Sequence, residues 1–158
     1  MNKIASFTID HTRLRSGLYV SRKDRVGLDT VTTFDIRITD PNRMPAMDTG
    51  AIHAMEHLAA TYLRNDIIWK DAVIYFGPMG CRTGFYLLMA GNLEPKTVLP
   101  LVYRCFKYIV EYEGEIPGAS AKDCGNYLDM NLPMAKYWAN RYLTLLEFIE
   151  NDRLVYPQ

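Results

Sequence analysis

Residues 49–64 read Thr49-Gly-Ala-Ile-His53-Ala-Met-Glu56-His57-Leu-Ala-Ala-Thr-Tyr-Leu-Arg64. Positions three and four residues apart share one face of a helix, so His53, Glu56 and His57 form a polar stripe. The apolar residues fall on the other side, where they can pack into a core; they are Ile52, Met55, Ala59, Tyr62 and Leu63. The pattern predicts a rigidly packed helix that presents two imidazoles and a carboxylate on its free face.

The order His53-x-x-Glu56-His57 is the inverse of the His-Glu-x-x-His metalloprotease signature. Either order places two nitrogens on one metal ion with a carboxylate beside it. Five residues are a weak signal alone, because a solvated helix face with two histidines and a glutamate gives the same pattern. The chain contains three histidines and three cysteines, and their placement favours the metal site.

Length and composition predict one domain, residues 1–158, with enough apolar residues for a full core, since 49% of the 158 residues are hydrophobic. Lys plus Arg equals Asp plus Glu at 18 each, which argues against nucleic acid as a partner. No apolar run is long enough to span a bilayer, and residues 1–6 lack the apolar core of a secretion signal. We therefore expect no membrane partner, a cytoplasmic location, and cysteines that are reduced or bind metal.

Alternating apolar and polar residues predict four strands. A short strand is expected at residues 6–11 and a clearer, β-branched one at residues 31–38. Two more are expected at residues 72–76 and 84–89, and the connection at residues 77–83 is short enough for antiparallel neighbours. The resulting sheet is predicted to be antiparallel.

Helical periodicity predicts two further helices. One begins at Pro100 and ends before Gly114, and the other covers residues 133–150. A basic stretch at residues 13–25 is typical of a solvated hairpin, and residues 120–123 resemble a capping box. The order of elements predicts an α+β fold in which an antiparallel β-sheet packs against α-helices.

A catalytic metal site needs a third protein ligand and an open position for water or substrate. The candidates are His11, the three cysteines and many carboxylates. Cys105 belongs to the apolar stripe of a helix, so we assign it to the core. Cys81 and Cys124 lie beside glycines in loops, which makes one a plausible ligand and the other a plausible acid/base group. The charge of Arg82, if it lies nearby, would lower the pKa of Cys81.

Six blocks of sequence carry a resemblance to a known family. In chain order they are Ser6-Phe-x-x-Asp10-His11, Phe34-Asp-Ile-Arg37, Pro41-Asn42, His53-x-x-Glu-His57-Leu, Pro78-Met-Gly-Cys81-Arg-Thr-Gly-Phe-Tyr86 and Ile116-Pro-Gly-Ala-x-x-Lys-Asp-Cys124-Gly125. Their combination resembles the S-ribosylhomocysteine lyase (LuxS) family over residues 6–132, most of the chain.

The resemblance implies a metal ion, Fe(II) with Zn or Co as possible substitutes, held by His53, His57 and Cys124. A water molecule would take the open position. It also implies that Glu56 and Cys81 are the catalytic groups that transfer protons. The metal would act as a Lewis acid rather than in redox chemistry.

The resemblance further implies that Ser6, His11 and Arg37 bind the substrate, S-ribosylhomocysteine, in a homodimer with two sites at the subunit interface. Without the resemblance, Ser6 is more typical of a strand edge and Arg37 of a surface cation, and His11 is equally typical of a turn residue. The products would be homocysteine and 4,5-dihydroxy-2,3-pentanedione, the precursor of the autoinducer-2 quorum-sensing signal. The reaction would also belong to recycling of the methyl cycle.

One segment departs from the family pattern. Many members carry an acidic residue, an aliphatic one and a serine where this chain has Tyr75-Phe76-Gly77, so contacts to the amino-acid end of the substrate could differ. An inverted-motif metallopeptidase is the alternative, although those enzymes usually take a downstream glutamate as third ligand. A non-catalytic metal-binding module is a third class, and in it Cys81 would have no role.

Overall fold

The structure is a computed structural model that describes residues 8–157. The strands within this range are β1 (Gly17–Val26), β2 (Asp29–Arg37), β3 (Val73–Pro78) and β4 (Gly84–Ala90). The helices are α1 (Thr49–Asn65), α2 (Pro95–Glu111) and α3 (Leu132–Glu147), and a short 3-10 turn follows at Asn151–Arg153. All strand pairs are antiparallel, in the order β1-β2-β4-β3. These elements confirm the predicted α+β fold.

Strand β2 decides which side chains enter the core. Successive side chains of a strand point to opposite faces of the sheet. Phe34 and Ile36 are 0% and 1% exposed and pack in one core with apolar residues of the three helices. Asp35 and Arg37 lie on the other face, where they form a buried ion pair. The helices therefore cover one face of the sheet, and a charged pair is buried on the opposite face.

Helix α1 has the two faces that the sequence predicts. The Asp48 carboxylate caps its first turn by accepting a hydrogen bond from the Ala51 backbone N–H, at 2.8 Å. His53, Glu56 and His57 are partly exposed, whereas the other side is buried. The buried residues are Gly50, Ala51, Ile52, Ala54, Met55, Leu58, Ala59 and Leu63. Packing of that side against the sheet and the other helices fixes the polar stripe in place.

The predicted strand at residues 6–11 is wrong in the part that the structure describes, because residues 8–13 form bends and a turn. Asp10 accounts for this difference. Its Oδ1 atom accepts hydrogen bonds from the Thr12 backbone N–H, at 2.9 Å, and from the Thr12 hydroxyl, at 2.6 Å. Such local side-chain bonds offer the backbone an alternative to strand pairing.

The basic stretch at residues 13–25 does take part in a hairpin. Most of it belongs to β1, which pairs with β2 through a turn in which Gly27 has a φ of +63°. Only the half of β1 near the turn is exposed to solvent. In the other half, Leu18 and Tyr19 are 0% and 1% exposed. The hairpin is therefore half core and half surface.

The predicted boundaries of α2 and α3 differ from those in the structure. Helix α2 begins at Pro95, so Pro100 lies inside it rather than at its start. Either proline suits the first turn of a helix, and the pattern alone does not choose between them. Helix α3 ends at Glu147 instead of residue 150, and residues 120–123 form a turn without a helix. None of the helices within residues 8–157 is long and apolar enough to cross a membrane.

Leu58 tests how strongly the core holds α1. The side chain is 0% exposed, so we expect Leu58→Ala to lower the free energy of unfolding by about 2–5 kcal/mol through lost burial and a cavity. Leu28→Ala is the matched control, because Leu28 is 93% exposed and its loss should cost less than about 0.5 kcal/mol. Urea denaturation of both variants measures the difference. Equal stability of the two variants would contradict the packing of α1.

Candidate active site

Three potential metal ligands converge beside α1. The nitrogen and sulfur atoms of His53, His57 and Cys124 all lie within 4.8 Å of one another. Helix α1 supplies both histidines, and the segment between α2 and α3 supplies the cysteine. The Cys124 sulfur lies 3.4 Å from His53 Nε2 and 3.4 Å from the Asn126 backbone nitrogen, whose N–H points to it. Folding therefore joins residues 71 positions apart into one donor group.

Backbone carbonyl groups fix the orientation of both histidines. His53 Nδ1 lies 2.9 Å from the Asp129 carbonyl oxygen, and His57 Nδ1 lies 2.8 Å from the Pro117 carbonyl oxygen. A carbonyl oxygen only accepts hydrogen bonds, so each Nδ1 carries a proton, and Nε2 is the atom that a neutral imidazole here can offer to a metal. This arrangement is typical of histidines that bind metal. Two imidazole nitrogens and one sulfur therefore form a donor set that fits a divalent metal with one position open.

Gly118 permits the close approach of its loop to His57. Its φ is +72°, and a Cβ at this position would lie 3.2 Å from His57 Nδ1. A side chain here would therefore strain the backbone and crowd the imidazole. The Pro117 carbonyl oxygen can accept the hydrogen bond from His57 Nδ1 because residue 118 is glycine.

Glu56 completes the polar stripe of α1. Its side chain lines a cavity of about 530 Å³ together with the two histidines and Cys124. The described residues 8–157 provide no hydrogen bond or ion pair to its carboxylate. Glu56 therefore presents its carboxylate to the cavity.

Cys81 lies in a second polar cluster, at the turn between β3 and β4. Its sulfur lies 3.1 Å from the Thr83 hydroxyl oxygen and 3.8 Å from Arg37 Nη1. Arg37 also donates to Thr83 Oγ1 at 2.6 Å and to both oxygens of Asp35, at 3.0 and 2.5 Å. We call Asp35, Arg37, Cys81 and Thr83 the thiol cluster.

The thiol cluster favours the thiolate form of Cys81. Partial burial raises the pKa of Cys81, but hydrogen bonds with Thr83 and the charge of Arg37 outweigh it, and the pKa is lowered overall. The sequence pointed to Arg82 as the neighbouring cation. The cation that donates to the sulfur is instead Arg37, which lies 44 residues away in the chain. The surroundings of Cys81 therefore favour the thiolate more than water does.

Comparison with known proteins identifies the family of this chain. The sequence model described as S-Ribosylhomocysteinase (LuxS) matches residues 4–152. The chain belongs to the LuxS family. It is 58% identical to the S-ribosylhomocysteine lyase of Clostridium beijerinckii, with 99% of each chain covered. It is 56% identical to that of Finegoldia magna and 54% to that of Clostridium acetobutylicum, and in both comparisons 100% of each chain is covered.

The resemblance to the LuxS family also implies that Ser6, His11 and Arg37 bind the substrate. Ser6 lies outside the described residues. His11 is partly buried, and its Nδ1 lies 2.9 Å from the Ile9 carbonyl oxygen. Arg37 is 2% exposed. Within one chain its guanidinium contacts the other members of the thiol cluster, which are Asp35, Cys81 and Thr83. Substrate binding by these three residues stays a prediction.

The structure of this LuxS family member also shows the surroundings of Cys105 and of the altered segment Tyr75-Phe76-Gly77. Cys105 is 1% exposed in the core, as predicted, and burial raises the pKa of its thiol. The ring of Tyr75 lies over Gly77, where an added Cβ would overlap its hydroxyl. Tyr75 and Gly77 are therefore a coupled pair, because the ring occupies the space that a side chain at position 77 would need.

The metal ligands and the thiol cluster lie on opposite sides of the sheet. His53, Glu56 and His57 project from the side of α1 that faces away from the core, whereas Arg37 lies on the sheet face that the helices do not cover. Neither Arg37 nor Cys81 is among the described residues that line the cavity beside the metal ligands. Within the described residues, one chain therefore holds two separate polar clusters.

Gly118 tests the support of His57. We expect Gly118→Ala to weaken binding of Zn(II) or Co(II) by about 10-fold or more, because the Pro117 carbonyl oxygen can no longer accept the hydrogen bond from the imidazole without strain. Gly27→Ala is the control, since Gly27 also has a positive φ but nothing lies within 4 Å of its Cβ position. Competition with a chromophoric chelator gives both affinities. Equal affinities in the two variants would contradict the role of Gly118.

Alkylation tests the environment of Cys81. A lowered pKa keeps the thiolate populated as the pH falls, so the rate of reaction with iodoacetamide should decrease only below the ordinary thiol pKa of about 8.5. Cys105 is the internal control, and it should react far more slowly because it is buried and its pKa is raised. Mass spectrometry of the peptides separates the two sites. A Cys81 profile centred at or above the ordinary value would contradict the account.

Proposed function

We propose that this chain is a metal-dependent S-ribosylhomocysteine lyase, with residues 1–158 as one lyase domain. The observation that carries the proposal is the donor set of two Nδ1-anchored histidines and a cysteine beside Glu56, in a chain that belongs to the LuxS family. Relatives with this name match the chain over its whole length. The third donor is a sulfur rather than a downstream carboxylate, which leaves the metallopeptidase alternative without support.

The reaction that we propose cleaves the thioether of S-ribosylhomocysteine. Two aldose–ketose steps move the carbonyl group along the ribose chain, and β-elimination then breaks the carbon–sulfur bond. The electron pair of that bond leaves with sulfur, which takes a proton and becomes the thiol of homocysteine. The sugar part becomes 4,5-dihydroxy-2,3-pentanedione. Each step takes a proton from a carbon next to a carbonyl group, so the site needs groups that both accept and return protons.

His53, His57 and Cys124 would hold the metal ion. A bound divalent cation supplies Lewis acidity, which polarises a carbonyl group without any redox change. We propose Fe(II), with Zn or Co as substitutes, because imidazole and thiolate ligands suit these ions better than they suit Mg²⁺ or Ca²⁺. The fixed orientation of both imidazoles favours a site that forms without rearrangement.

Glu56 and Cys81 are the proton carriers in this proposal. Glu56 lies one residue from His57 on a rigid helix, so its carboxylate stays beside the substrate carbon that loses a proton. Cys81 is available as a thiolate because Thr83 and Arg37 lower its pKa. A carboxylate and a thiolate on two sides of the sugar can alternate as acid and base.

The separation of the two carriers favours a homodimer. Within one chain the sheet lies between Glu56 and Cys81, so a shared substrate needs Glu56 from one subunit and Cys81 from another. A two-fold axis repeats each contact reciprocally and creates two equal sites. We therefore propose a homodimer with two sites at its interface. Arg37 would enter each site together with Cys81.

The substrate side and the cellular setting complete the proposal. Ser6 and His11 come from the N-terminal segment, and we propose that they and Arg37 bind S-ribosylhomocysteine. The enzyme would work in the cytoplasm. Its products would serve autoinducer-2 formation and the methyl cycle.

Release of homocysteine tests the lyase activity directly. Metal-loaded protein, handled without oxygen and used in catalytic amounts, should release one free thiol for each S-ribosylhomocysteine consumed, as followed with a disulfide reagent. Cys81→Ala and Glu56→Gln should each lose at least about 100-fold in kcat, because each removes one proton carrier. No thiol release by the metal-loaded wild type would overturn the proposed function.

Mixing the two inactive variants tests the shared site. If Glu56 and Cys81 act across the interface, a mixed dimer contains one intact site, and random exchange of subunits should restore about one quarter of the wild-type activity. Cys81→Ala mixed with Cys81→Ser is the control and should stay inactive. Failure of the first mixture, after subunit exchange is verified by native mass spectrometry, would show that the sites are not shared.

A further inference from the structure

Tyr156 reaches the thiol cluster from the C-terminal end of the chain. Its hydroxyl donates a hydrogen bond to Asp35 Oδ2 at 2.8 Å, across 121 positions of sequence. Its ring stacks on that of Tyr19, with centroids 4.9 Å apart and an interplanar angle of 21°. Tyr156 is therefore held both by its ring and by its hydroxyl.

Asp35 connects Tyr156 to Arg37. The carboxylate is 0% exposed, so its oxygens depend on protein donors in place of water. Oδ2 accepts from both the Tyr156 hydroxyl and Arg37 Nη2, and Oδ1 accepts from Arg37 Nε. The two-pronged contact sets the plane of the guanidinium. A donor on Asp35 thus influences where Arg37 lies.

Arg37 connects Asp35 to Cys81. Two of its nitrogens are taken by Asp35, and the third, Nη1, points to Thr83 Oγ1 and to the Cys81 sulfur. Because the guanidinium is planar and rigid, any rotation allowed by a loosened Asp35 moves Nη1 relative to the sulfur. A continuous series of hydrogen bonds therefore runs from Tyr156 to the thiol.

The C-terminal segment is itself anchored to the start of β1. Arg153 Nη1 donates to the Ser16 carbonyl oxygen at 2.9 Å and to the Ser16 hydroxyl at 3.1 Å, and Leu154 is 7% exposed. A Cβ at Gly17 would overlap the Arg153 carbonyl oxygen, so the backbones meet closely. These contacts hold Tyr156 in place over the sheet.

We propose that Tyr156 is a positioning residue for Cys81, acting through Asp35 and Arg37. The inference rests on the proposed role of Cys81 in the lyase reaction. The C-terminal segment would keep the guanidinium aimed at the sulfur and so maintain the reactive thiolate. Loss of the Tyr156 hydroxyl leaves Asp35 Oδ2 with one donor fewer, frees the ion pair to shift, and raises the pKa of the thiol.

Other polar groups face the same cluster and stay constant in the test. Tyr86 of β4 and His11 of the N-terminal segment interact electrostatically with Asp35, and Tyr86 also does so with Cys81 and Arg22. Removing the hydroxyl of Tyr156 leaves these groups in place. A change in the thiol can therefore be assigned to the contacts of the Tyr156 hydroxyl, which are those with Asp35 and with the Ser21 side chain.

Tyr156→Phe in the full-length, metal-loaded protein tests the proposal. We expect the pH profile of Cys81 alkylation by iodoacetamide to move to higher pH, with a rate at pH 7 about two- to threefold lower than in the wild type. We also expect a similar fall in kcat for S-ribosylhomocysteine with little change in KM. Metal affinity should stay the same, because the metal ligands lie on the other side of the sheet.

Tyr19→Phe is the matched control. The Tyr19 hydroxyl donates to the Arg15 carbonyl oxygen at 3.0 Å, so the variant keeps the ring stack and the bond to Asp35. Its alkylation profile should match that of the wild type. An unchanged profile in Tyr156→Phe, whether or not thermal stability falls, would overturn the proposal, as would an equal shift in Tyr19→Phe. Alkylation needs no turnover, so this result is independent of whether the lyase activity is found.

Discussion

The alternation of side chains along β2 is the constraint on which the arrangement depends. Phe34 and Ile36 must face the helices to close the core, and this forces Asp35 and Arg37 to the opposite face. A one-residue shift of register would exchange the two sets. Helix α1 closes the same core with its apolar side, so its polar stripe faces outward. Core packing thus decides both where the metal ligands lie and where the thiol cluster lies.

In both clusters, buried or backbone groups fix the orientation of polar side chains. Carbonyl oxygens of Pro117 and Asp129 orient the two imidazoles, and the Asp35–Arg37 pair orients a donor toward Cys81. A buried ion pair is weak evidence for stability, because desolvation offsets much of its attraction. On this face the pair also contacts the thiol, because Arg37 Nη1 donates to the Cys81 sulfur. Rigid supports of this kind are what proton transfer at fixed carbon atoms requires.

Sequence patterns predicted the elements whose signals are local. The β-branched run at residues 31–38 matches β2, and the periodicity around His53 gave α1 with the correct buried side. Contacts between distant segments have no local signal: Tyr156 meets Asp35 across 121 positions. The pairing of Cys81 with Arg37, instead of its neighbour Arg82, has the same origin. The partners of the two Nδ1 atoms are backbone carbonyls, which every residue carries, so composition does not reveal them. The sequence does show the alternation that separates Asp35 from Phe34. That alternation correctly predicted that Asp35 and Arg37 share the polar face of the strand.

In the proposed homodimer, the metal ligands of one subunit and the thiol cluster of another form a single site. A crystal structure of the Co(II)-loaded protein with an uncleavable thioether analogue of the substrate tests it most directly. Anomalous scattering should locate cobalt on His53, His57 and Cys124, with the analogue between the ion and Cys81 of the partner subunit. An analogue bound between the metal and Cys81 of the same chain, or a monomer with a complete site, would contradict the account.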